Sequence, residues 1–125
     1  MSSHALIVEG YVRRPCVSPR SSDADSIVLE SVTAQRGWRL ARILQDKGGS
    51  DRLEEALRRV ESGEIDGLVV AQLLDLGRSL REAVAAIERI RAAGGTLFSV
   101  TDGIELGPNT GASTWRLLVS LAEWS

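Results

Sequence analysis

The sequence predicts an α/β fold in three layers, a mainly parallel sheet of about four to five strands flanked by helices. Three observations predict it. Four short apolar runs, Ala5-Leu6-Ile7-Val8, Leu40 to Leu44, Ile65 to Ala71 and Thr96 to Val100, alternate with segments of helical periodicity. The runs are apolar almost throughout, as strands covered on both faces are. The joining segments are short and rich in Gly, Pro, Ser and Asp, residues that favour turns.

The elements follow in order. The first strand starts at Ala5 and runs toward Tyr11. Arg13 to Ser22 holds two prolines and three serines and reads as a loop. A helix begins near Asp23 or Asp25, whose carboxylates suit an N-terminus, and stops at Gly37. A second strand, Leu40 to Leu44, ends in a flexible loop, Asp46-Lys47-Gly48-Gly49-Ser50. Asp51 caps the next helix, in which Leu53, Ala56, Leu57 and Val60 share a face and Gly63 follows the end. After the third strand, Ser79-Leu80-Arg81-Glu82 is a capping box. It opens a helix with a Leu80, Val84, Ile87, Ile90 stripe that stops at Gly94-Gly95. Beyond the fourth strand, a polar loop containing Gly103, Gly107 and Pro108 leads to a last helix carrying Trp115, Leu118 and Ala122.

Length and composition narrow the function classes. The 125 residues make one domain, 1–125, with no internal repeat or linker. No apolar run approaches the roughly 18 residues of a membrane span. Met1-Ser2-Ser3-His4 supplies no basic region of a secretory signal. One cysteine, Cys16, cannot form an internal disulfide, which fits a cytoplasmic protein. One His and one Cys leave little for a metal site, and neither a phosphate loop nor a dinucleotide fingerprint is present, so no cofactor is expected. Net charge is −2 and pI about 5.4, so charge alone does not advertise DNA affinity. Arginine nevertheless dominates the basic set, with Lys47 the sole lysine, and its planar fork suits phosphate.

In such folds ligands bind beyond the carboxyl ends of the strands. Those ends carry Tyr11-Val12-Arg13, Asp46 to Arg52, and Leu73-Leu74-Asp75-Leu76-Gly77-Arg78-Ser79. The first resembles the Tyr-x-Arg-x-Ser opening of resolvase/invertase-type serine recombinases. The second is similar to that family's Asp-x-x-x-Ser-Gly segment with its following Arg, shortened by a few residues. The third resembles Leu-Asp-Arg-Leu-Gly-Arg-Ser. Glu61 to Val70, Asn109-Thr110-Gly111 and Leu121-Ala122-Glu123-Trp124 fit the rest in register.

The resemblance implies a catalytic domain in which a serine hydroxyl attacks a DNA phosphodiester while arginines balance the phosphate charge. It places Arg13, Arg52 and Arg78 in that cluster, with Tyr11 and Asp46 in support. It also exposes two departures. Pro15 stands at the nucleophile position, and Leu74-Asp75 replaces an Asp-Arg pair. Exchanging Arg for Asp changes local charge by two units, each worth up to roughly 4 kcal/mol at about 4 Å and a dielectric near 20. A domain defective in DNA cleavage is therefore expected, with weak DNA binding and a second copy or a partner recombinase as its associate.

Two alternatives stay open. Ser18, or failing that Cys16, substitutes as nucleophile and the domain is active. Otherwise the chain is an interaction module that keeps only the fold and associates through its last helix at Trp124. A self-neutralised pocket, with Asp75 paired to Arg13 or Arg78, is a further expectation. No C-terminal DNA-binding domain is expected within these 125 residues.

Overall fold

A computed structural model describes residues 6–14, 22–47 and 49–108. Five strands form one sheet: β1 (Ile7–Arg14), β2 (Arg39–Lys47), β3 (Gly67–Val70), β4 (Thr96–Ser99) and β5 (Ile104–Leu106). Their order is β2-β1-β3-β4-β5. The first four are mutually parallel, and β5 runs antiparallel to β4, with Phe98 opposite Glu105. Among the described residues three helices, α1 (Ser22–Gln35), α2 (Asp51–Ser62) and α3 (Leu80–Ala92), cover the two faces. The predicted α/β class and mainly parallel sheet are thus the observed ones.

Alternation along the strands assigns each face. Val8 and Val12 of β1, Val69 of β3 and Phe98 of β4 pack with Leu29 of α1. Tyr11, Leu68, Val70 and Leu97 point the other way, into the larger cluster with Leu53, Leu57 and Val60 of α2 and Ile87 and Ile90 of α3. Two glycines permit close approach. A Cβ on Gly67 would lie 2.0 Å from the Thr96 carbonyl oxygen, and one on Gly77 2.5 Å from Cβ of Glu82. Trp38 packs edge-on against Phe98 with ring centroids 6.1 Å apart, so it serves the α1 face of the core.

Several elements differ from expectation for identifiable reasons. Arg13 lies within β1, and Asp46 and Lys47 within β2, where a loop was expected. Parallel pairing continues that far, with Arg13 opposite Asp46. The helix α2 is capped by Ser50 rather than Asp51, and the Ser50 side chain makes no capping bond. The Asp46 carboxylate takes that part instead. On α3, Ala83 and Ala86 are buried with Ile87 and Ile90, whereas Leu80 and Val84 are only partly covered. A 3-10 turn, Leu73–Leu76, occupies the segment before α3. The polar loop after Val100 contains β5, too short for periodicity to reveal. The expected last helix with Trp115, Leu118, Ala122 and Trp124 lies outside the described residues. So do Pro15, Cys16 and Ser18.

Candidate functional site

The carboxyl ends of β1, β2 and β3 meet around Tyr11, Arg13, Asp46 and the 3-10 turn. Tyr11 is fully buried on the α2/α3 side of β1. Its hydroxyl donates to Oδ2 of Asp46 at 2.7 Å. The same carboxylate, itself buried, accepts the main-chain N–H groups of Arg52 and Leu53 at 3.0 Å each. Asp46 therefore satisfies two of the free donors at the start of α2 from a neighbouring strand, and its charge complements the helix N-terminus.

Burial raises the Tyr11 pKa far above that of an ordinary phenol, and the hydrogen bond to the Asp46 carboxylate raises it further. Tyr11 is thus a locked donor, with no phenolate available as nucleophile or base. Because the folded pKa lies above the unfolded value, this group stabilises the fold fully below about pH 10 and less as pH rises past it, by about 1.4 kcal/mol per pH unit. Tyr11 is the only tyrosine, so absorbance at alkaline pH reports it alone. Phenolate is expected to appear only together with loss of the folded circular-dichroism signal. A phenolate titrating near pH 10 in the folded protein would contradict this geometry.

Arg13 is the hub. Its Nε donates to the main-chain oxygen of Asp75 at 3.0 Å, one Nη to the carbonyl of Gly49 at 2.6 Å, and the other to Oγ of Ser50 at 2.8 Å. Its guanidinium also lies 5.7 Å from the centre of the Tyr11 ring. These three acceptors are neutral oxygens on the two loops that follow β2 and β3. The cation thus ties the two loops together through neutral oxygens, and among the described residues these three bonds use three of its five N–H groups.

The other predicted cations sit at the rim. Arg52 joins through its main chain, while its guanidinium pairs with Glu55 at 3.1 Å. Glu55 also pairs with Arg42 at 2.6 Å, and Arg42 with Oε2 of Glu9 at 2.8 Å. A line of ion pairs so runs from the fully buried Glu9, which Arg59 also approaches at 2.8 Å, to the edge of the site. Arg78, more than half exposed, pairs with Glu82. It borders a cleft of about 230 Å³ together with Ser50, Glu82 and Arg89. Arg13, through Ser50, adjoins that cleft.

Asp75 is buried within the 3-10 turn, and its carboxylate accepts from Gln72 at 3.4 Å. Arg13 reaches this residue through its main-chain oxygen, and Arg78 takes Glu82 as its acid. Sequence reasoning missed Ser50, Glu55, Glu82 and Glu9. The capping-box pattern pointed to Glu82 but to the wrong partner: Ser79 Oγ accepts the Glu82 N–H at 3.2 Å, whereas the Glu82 carboxylate returns to Arg78. Among the described residues no cluster of His, Cys, Asp or Glu has the form of a metal site.

The family model of the resolvase N-terminal domain matches residues 10–125. The DNA-invertase of Escherichia phage P1 is 34% identical over 119 residues, covering 91% of this chain and 59% of the invertase. The DNA-invertase hin of Salmonella typhimurium is 30% identical over 116 residues, covering 91% and 58%. The chain therefore spans somewhat under three fifths of the length of these relatives. Its fold matches the N-terminal catalytic domain of TP901-1 integrase, with TM-score 0.78 at 19% identity over 94% of this chain and 95% of that one. It also matches a resolvase family site-specific recombinase from Streptococcus pneumoniae, with TM-score 0.82 at 17% identity over 95% and 87%.

Proposed function

Because the chain belongs to the resolvase N-terminal domain family, we propose that it is a recombinase-type domain that holds a DNA phosphodiester at its strand-end arginines without cutting it. One observation carries the reading. The Arg13 guanidinium is fixed by three neutral oxygens and so retains positive charge at the carboxyl end of β1. Two residues further on, where the family's Tyr-x-Arg-x-Ser pattern has its serine, stands Pro15.

A pyrrolidine ring cannot form an ester with phosphorus. Tyr11 does not replace the missing hydroxyl, since its proton is committed to Asp46. Asp75, buried in the turn beside Arg13, supplies negative charge where the pattern has arginine, which opposes the charge that builds on a phosphate in the transition state. Binding of one phosphate asks for much less: an oriented cation, a main-chain frame and a second donor at the rim, the part assigned to Arg78. An acidic chain limits such binding to weak, salt-sensitive contact. In this reading the domain works in the cytoplasm beside a second copy or beside an intact recombinase, and only the intact recombinase brings a serine that cleaves.

A short duplex at low salt tests this. The wild-type protein is expected to retain the duplex weakly, and Arg13→Ala to lower the salt dependence by about one counter-ion. Retention that Arg13→Ala leaves unchanged would remove the arginine site from the account.

A further inference from the structure

The cleft beside Arg78 holds two cations and two acids, and they are unequally matched. Arg89 is committed to Glu54 at 2.7 and 3.0 Å and to Glu61 at 2.8 and 2.9 Å. Among the described residues Arg78 has one acid partner, Glu82, reached by its Nη at 3.4 Å. The second oxygen of that carboxylate accepts the Arg78 main-chain N–H at 2.9 Å. Glu82 thereby occupies a guanidinium and a main-chain amide of the same residue, the pair of donors that two phosphate oxygens would take. The Arg78 amide, followed by its guanidinium and the nearby charge of Arg13, holds this carboxyl below the usual carboxylate range, so it stays anionic. Gly77 allows the approach, since its bare Cα lies where a Cβ would meet Glu82.

We propose that Glu82 is the resident anion of this site, an affinity-determining residue that competes with an incoming phosphate group for Arg78. The proposal rests on the reading that the strand-end arginines take a phosphate. It assigns the weakness of the site to one exposed side chain on the first turn of α3, in addition to the loss of an arginine at position 75. An incoming phosphate must displace the carboxylate or share Arg78 with it. A phosphodiester in duplex DNA and free inorganic phosphate present the same oxygens, and the experiment separates them.

Glu82→Gln keeps an oxygen for the Arg78 amide and removes the charge. In the intact chain at low salt it is expected to bind a short duplex roughly fivefold more tightly than wild type, the effect of one unit charge at about 4 Å in water. The gain should vanish in Glu82→Gln/Arg78→Ala, and Glu88→Gln, a neutralised exposed acid elsewhere on α3, should show little of it. A parallel gain for inorganic phosphate identifies a general phosphate site, and a gain for duplex alone a phosphodiester site. Unchanged or weaker binding by Glu82→Gln overturns the proposal, as does an equal gain in Glu88→Gln or one that survives without Arg78. The two levels separate. Wild-type binding that depends on Arg13 and Arg78 but does not tighten in Glu82→Gln sinks the resident anion alone. Binding indifferent to both arginines, or none by either protein, sinks the phosphate site with it.

Discussion

Asp46→Ala is expected to lower the free energy of unfolding by about 3 kcal/mol, the largest effect of any polar substitution around the site. The buried carboxylate accepts three hydrogen bonds, from the Tyr11 hydroxyl and from the N–H groups of Arg52 and Leu53. Its removal leaves a buried phenol without its acceptor and reopens the N-terminus of α2, where the Ser50 side chain offers no substitute. A bond to a charged acceptor is worth about 1.5–3 kcal/mol, and water reaching the frayed helix end recovers part of the total. Urea unfolding followed by circular dichroism measures the change. Asp46→Asn should fall between wild type and Asp46→Ala, because an amide oxygen accepts some of the three bonds while its NH₂ faces donors. A loss below about 0.5 kcal/mol for Asp46→Ala would mean that α2 is not held from β2.

Gly77→Ala is expected to cost about 2–3 kcal/mol and to remove the Arg78-dependent part of phosphate binding. The backbone at Gly77 is extended, with φ near −176°, so any residue could adopt it; space is the constraint. The new Cβ would sit 2.5 Å from Cβ of Glu82 and 2.6 Å from the Ala83 nitrogen, both on the first turn of α3. Either the 3-10 turn or the helix start must move, and Arg78 lies between them. Gly49→Ala is the matching control, because a Cβ there meets nothing within 4 Å. It should change stability by less than about 0.5 kcal/mol. Equal, small effects at the two positions would show that the turn is not packed against α3 as described.

The parts of the fold legible in sequence are those where burial follows a simple period. Leu53, Ala56, Leu57 and Val60 are buried on α2 as their spacing required, and Gly63 follows its last residue. The strands β3 and β4 were legible because both of their faces are covered: β3 carries only Leu and Val side chains, and β4 sets Leu97 and Phe98 between a buried Thr96 and Ser99. The rest depended on partners distant in sequence. Asp46 reads as the start of a loop, yet it is buried in β2 because Tyr11, 35 residues earlier, and the α2 amides satisfy it. Glu9 reads as an interruption of an apolar strand, yet it is fully buried because Arg42 and Arg59 neutralise it. The strand β5 is three residues long and is defined by its pairing with β4.

The site divides in the same way. Arg13, Arg52 and Arg78 were picked out by the family resemblance; Arg13 lies near the end of β1, Arg52 in the first turn of α2 and Arg78 just ahead of α3. Their working states could not be foreseen. Arg13 is held by main-chain carbonyls whose positions are a property of the folded loops, Arg52 faces Glu55 three residues on in α2, and Arg78, just ahead of α3, faces Glu82 in its first turn. A motif names the cation and is silent about its counter-ion.

Supercoiled plasmid DNA, incubated with the protein and then treated with detergent and protease, bears most directly on the proposal that the site holds phosphate but has lost its attacking hydroxyl. The expected result is plasmid with no protein-linked nick, under conditions in which the same protein retains duplex DNA through Arg13. A covalent protein–DNA ester through any side chain, Ser18 included, would contradict the account.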